Sequence, residues 1–156
     1  MQDLQSRIEM EEVENVITRA FTEVRHSFFN PPVKGPKLYW KDLEDPNTKL
    51  AYINMDTKLI GCNGEWIKAL AANGENIDEV ARGTIAHEVG HYMLFCRDLS
   101  LQLRLNFQAQ EKFKHFGLHL FGLYNDFQND LLLINEGFHA DDVRARLRGK
   151  VHYFMS

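Results

Sequence analysis

Five residues constrain this chain more than any others: His87-Glu88-Val89-Gly90-His91. On an α-helix, residues four apart lie one turn above each other, so both imidazoles face one side and can share a metal ion. Glu88 follows the first histidine and is swung to the flank of such a site, where its carboxylate can take a proton from water without ligating the metal. The neighbouring residues support the helix. Ile77, Val80, Ala81, Thr84, Ile85, Val89, Tyr92 and Met93 recur at the spacing of a buried face, and Asn76 with Glu79 three residues on forms a capping-box pattern at its start. Two histidines a turn apart also suit an ordinary helix. What favours a metal here is the helix context, the room that Gly90 leaves for a close approach, and a carboxylate motif downstream.

That motif is Asn125-Asp126-Phe127-Gln128-Asn129-Asp130, followed by the apolar run Leu131-Leu132-Leu133-Ile134. A helix is expected from His115 to about Glu136, closed by Gly137. On it Asp126 and Asp130 lie one turn apart on the same side. Carboxylates in an otherwise apolar helix are costly without a partner, which argues against plain solvent-facing residues. One of them can complete a His-His-carboxylate set and leave a fourth tetrahedral position for water, the pattern of a catalytic zinc. The other can accept the remaining ring N–H of a ligand histidine and fix its tautomer. His115 and His119 are also four apart, but no glutamate follows the first, and they read as surface or cleft histidines.

Together, His87-Glu88-Val89-Gly90-His91 and Asn125-Asp126-Phe127-Gln128-Asn129-Asp130 resemble the zincin metallopeptidases of gluzincin type, most closely the HtpX-like and CaaX-prenyl-protease group and its small soluble relatives, the minigluzincins. That group carries Asn-Glu-x-x-Ala-Asp on the helix after the metal helix, with the glutamate as third zinc ligand. Asn125 and Asp130 match, Asn129 stands for the alanine and Asp126 for the glutamate. The resemblance covers about residues 50 to 134. It implies a small sheet above the metal helix, hydrolysis of peptide bonds, and Asp126 as third ligand with Asp130 in reserve. Aspartate is one methylene shorter than glutamate, so Asp126 must come closer to the metal.

The rest of the chain fits one α+β domain over residues 1 to 156, with a small, mostly antiparallel sheet packed on the metal-site helix and further helices around it. A length of 156 residues allows a real core without staples. Hydrophobic content of 44% and charged content of 26% are ordinary for a globular protein. A net charge of -4 gives no basic excess, so no nucleic-acid partner is implied. Cys62 and Cys96 are far apart and read as packing residues in a reducing, cytoplasmic setting. No run approaches the ~18 apolar residues that span a bilayer, and the N-terminus lacks the apolar core of a signal peptide.

From residue 3 to about 29, apolar residues three to five apart predict an amphipathic helix whose face with Glu9, Glu11, Glu12 and Glu14 is solvated. Asn30-Pro31-Pro32 ends it. A short strand is expected over residues 37 to 40, a hairpin over 50 to 62 with its turn at Met55 to Lys58, and a short helix from Glu65. Residues 101 to 113 are read as helix although Leu101, Leu103, Leu105 and Phe107 alternate as in a strand. A short basic helix over 143 to 148 is expected to present a solvated face.

The residues therefore predict one zinc ion per chain held by His87, His91 and Asp126, with Glu88 as general base and Asp130 as support. The expected partner is a peptide or protein substrate. Two rivals stand beside this reading: a non-catalytic module stabilised by zinc, and a dedicated regulatory peptidase of the ImmA-like type. A structural zinc has no need of Glu88, which favours an enzyme over the first.

Overall fold

The computed structural model describes residues 2–95, 99–114, 117–137 and 139–155. Helix α1 (Gln2–Ser27) buries Val13, Ile17, Ala20 and Val24 along one stripe and leaves Glu9, Glu11, Glu12 and Glu14 in solvent. Phe29 and Asn30 then adopt left-handed backbone conformations that stop the helix before the two prolines.

Three strands follow: β1 (Lys34–Tyr39), β2 (Ala51–Asn54) and β3 (Leu59–Asn63). The β2–β3 hairpin is antiparallel, as its alternation predicts, and Asn54 ties the turn by accepting from the amides of Asp56 and Thr57. The sheet is mixed rather than mostly antiparallel, because β1 pairs with β3 in parallel and the strand order is β1-β3-β2. The reason lies in residues 40–50, which carry the chain past the end of β3 to the far edge before the hairpin returns. Asn63 holds that passage: its side chain exchanges hydrogen bonds with the backbone of Lys41 and also caps the next helix through the Glu65 amide.

Helix α2 (Gly64–Ala72) buries Trp66, Ile67 and Leu70, and α3 (Ile77–Phe95) follows with the Asn76 side chain accepting from the Glu79 amide. Helices α4 (Leu99–Phe113), α5 (Gly117–Asn135) and α6 (Ala140–Met155) complete the α+β architecture. Residues 99–113 are helical despite the alternating leucines; Leu103 and Phe107 are exposed, so no strand-like burial drives them. Among the described residues no helix is long and apolar enough to cross a membrane.

Helix α3 is the hub, touching α1, α2, β2, α5 and α6. Its contact with α6 depends on Gly83, where a Cβ would lie only 2.0 Å from the Asp142 carbonyl oxygen. Polar side chains clamp the same junction. Arg82 donates from Nε and Nη2 to the Asp142 carboxylate at 3.1 Å each, and His139 bridges Asp142 (2.8 Å) to Ser27 of α1 (2.5 Å). Helix α6 is thus longer than expected and not a solvated surface element. Val143, Ala145 and Arg146 are buried, because Val143 and Arg146 recur at the spacing of a face that closes on α3.

Candidate metal centre

The site is built where α3, α5 and α6 meet. His87, only 2 % exposed, points its two ring nitrogens at two different carboxylates. Nδ1 lies 2.6 Å from Asp130 Oδ1, and Arg146 Nη1 donates to the other oxygen of Asp130 at 3.3 Å. An ionised carboxylate can only accept, so Nδ1 carries a hydrogen, which leaves Nε2 as the ring nitrogen that could offer a lone pair to a metal ion. From α5, Asn129 donates from Nδ2 to the His87 carbonyl at 2.8 Å. This bond needs Gly90, since a Cβ there would fall 2.2 Å from Asn129 Oδ1. The motif glycine is the gap through which α5 reaches the backbone of α3.

Around His87 Nε2 two further donor atoms gather. His91 Nε2 lies 3.0 Å away, and Asp126 Oδ1 lies 3.3 Å from His87 Nε2 and 2.9 Å from His91 Nε2. Ligand atoms about one tetrahedral zinc, with bonds near 2.0–2.1 Å, are spaced roughly 3.3 Å apart, so the three atoms already form one face of such a polyhedron. His87, His91 and Asp126 can hold a metal ion. The electrostatics agree. Burial alone would push the His87 imidazolium down, yet the bonds to Asp126 and Asp130 outweigh it and raise the group. Burial would raise Asp126, but the two histidines hold its carboxyl well below the usual carboxylate range. A positive charge is favoured among these atoms.

A cavity of about 490 Å³ opens over the cluster. Residues 49–53, from β2 and the chain before it, line it together with His87, Glu88, His91, Asp126, Arg146 and Lys150. Glu88 is buried, at 6 % exposure, and stands on the wall of this cavity, apart from the three converging donor atoms.

The structure brings His87, His91 and Asp126 together and sets Asp130 behind His87, separating the two aspartates into a donor-atom role and a supporting one. Arg146 and Lys150 are the residues that sequence reasoning missed. Their signal was the series Val143, Arg146, Leu147, Lys150, spaced three and four apart as one face of a helix. His115 and Cys96 lie outside the described residues, as does the side chain of His119. No protein-family model, curated protein or solved structure matches the chain.

Proposed function

We propose that this protein is a zinc-dependent metallopeptidase of zincin type, in which His87, His91 and Asp126 hold the ion and Glu88 is the general base. One observation carries the reading: three lone-pair atoms converge beside a buried glutamate on the wall of a single cavity. Zinc, when bound, supplies Lewis acidity that polarises a carbonyl and makes water a stronger acid. The protein's own part is positioning and proton transfer. The Asp130–Arg146 pair keeps the His87 ring in one tautomer, and the Glu88 carboxylate accepts a proton from the attacking water and delivers it to the leaving amine nitrogen.

Strand β2 stands at the sheet edge and lines the cavity. An extended peptide laid along it gains main-chain hydrogen bonds and has its scissile carbonyl beside Glu88. The buried position of Glu88 favours this over a purely structural ion, which would leave that carboxylate without a task.

The test is a pair of measurements on protein reconstituted with zinc. Wild type should hold about one zinc per chain and cleave peptides, whereas Glu88→Gln should keep its zinc and lose turnover by a factor of 10² or more, roughly the worth of a general base. Retained turnover in metal-replete Glu88→Gln sinks the assignment, and a wild type that takes up no zinc sinks the whole reading.

A further inference from the structure

We propose that Lys150 and Arg146 form an anion subsite in the cavity, so that the preferred ligands are peptides offering a carboxylate near the hydrolysed bond. The inference rests on the cavity being the peptide site and adds to it the class of peptide taken. The two cations are one turn apart on α6 and both line the cavity. Arg146 is only 5 % exposed; its Nη1 reaches Asp130, while its Nε is buried with no hydrogen-bond partner. A guanidinium in that state has donor capacity left for a second acceptor.

Lys150 is half-buried, and among the described residues no carboxylate lies within ion-pair distance of its ammonium. Burial pushes it down, as does the charge of Arg146, against the smaller opposing pulls of Asp126, Asp130 and Glu88. Two of those carboxylates are occupied elsewhere, Asp126 by two imidazoles and Asp130 by His87 and Arg146. Once a divalent ion sits among the three ligands, the ion and the two α6 cations outweigh the three carboxylates, and the cavity carries a net positive charge. A half-buried ammonium without a counter-ion is costly, and a carboxylate entering the cavity relieves that cost while making charge-assisted hydrogen bonds. Two sources can supply it, an acidic side chain or a free carboxyl terminus.

The experiment uses the 156-residue chain as zinc-loaded Glu88→Gln, so that binding is read without turnover. The probes are fluorescein-labelled octapeptides of one Ala/Leu/Phe sequence, with glutamate or glutamine scanned through each position, each made as free acid and as carboxamide. Binding is followed by fluorescence anisotropy. At least one acid should bind about tenfold or more tighter than its neutral twin, the worth of a hydrogen bond to a charged group. The position of that preference separates a side chain from a chain terminus. In Lys150→Gln the acid-to-neutral ratio should fall towards one, while Lys150→Arg should retain most of it. Equal affinity for acid and neutral peptides, no binding of any probe, or a preference that survives in Lys150→Gln overturns the subsite. Zinc-loaded wild type, incubated with the same peptides and read by mass spectrometry, keeps the two ideas apart. Cleavage without acid preference removes the subsite and leaves the peptidase; acid-selective binding without cleavage does the reverse.

Discussion

The two histidines of the site lie one turn apart on α3 and live in opposite surroundings. His87 is 2 % exposed, with Nδ1 held by Asp130, its carbonyl held by Asn129, and Arg146 fastening Asp130 from α6. His91 is 28 % exposed and meets Asp126, whose side chain is 44 % exposed. The inner half is therefore set by packing between three helices, and the outer half by little besides the convergence of its own donor atoms. A cluster built this way has a preorganised inner anchor and an open outer side, through which an ion could reach the three donor atoms.

The sharpest way to break that comparison is to remove each histidine in turn. His87→Ala should abolish zinc binding and also lower the stability of the metal-free protein by about 2–4 kcal/mol, since it leaves a void and strips Asp130 of a buried partner. His91→Ala should abolish zinc binding with a stability change of about 1 kcal/mol or less, as at a partly exposed position. Urea unfolding of both metal-free variants measures the difference. Equal losses at the two positions would show that the site has no protected half.

The aspartates extend the same contrast. Asp130→Ala leaves Arg146 buried without its carboxylate, a change that costs roughly 3–5 kcal/mol when a buried ion pair is broken from one side. It should also weaken zinc binding by about 10–100-fold, the usual worth of a partner to a ligand histidine. Asp126→Ala should remove the zinc while leaving metal-free unfolding within about 1 kcal/mol of wild type, because the side chain is 44 % exposed and its ion pairs are screened by solvent. Zinc titration beside unfolding reads both effects. A variant of Asp126 that keeps full zinc affinity would hand the third position to another group.

Gly90→Ala is the next in size. The added methyl would sit 2.2 Å from Asn129 Oδ1, so α5 must shift or Asn129 must release the His87 carbonyl. Overpacking of this kind costs about 1–3 kcal/mol. Asn129→Ala in the same background should recover part of the loss, which a thermal melt of single and double variants can show; no recovery would place the strain elsewhere.

These contrasts mark what was legible in the residues and what was not. The helix carrying His87 and His91 was plain from period alone, since residues four apart must share a face. That Asp126 and Asp130 share a side of α5 was equally plain, but which one meets the histidines depends on how α5 crosses α3, and that is a matter of packing. Asn129 reaching across Gly90 settles the crossing, and neither residue signals it alone. The parallel pairing of β1 with β3 was hidden for a similar reason, because it follows from the route of residues 40–50 and not from the pattern of any strand. Helix α6 misled through its charge: with Arg144, Arg146, Arg148 and Lys150 it looks solvated, yet Arg146 is buried because Asp130 waits for it. A buried ion pair between distant segments leaves no periodic trace in either one.

The smallest expected effect concerns Cys62, on the protected side. It is fully buried in β3, and burial, assisted by the Glu88 charge, pushes its thiol up to about 12. A raised value means that the neutral thiol persists through pH 8 and that the thiolate, the species that reacts, is scarce. Native protein treated with iodoacetamide at pH 8 should therefore leave the Cys62 peptide unmodified in mass spectra, whereas denatured protein should be fully alkylated there. The reading is site-resolved, so reaction elsewhere in the chain does not disturb it. Native labelling of Cys62 at the denatured rate would mean that β3 opens readily to solvent. Because β3 supports β2, which lines the cavity, the inner half of the site would then be no more protected than the outer one.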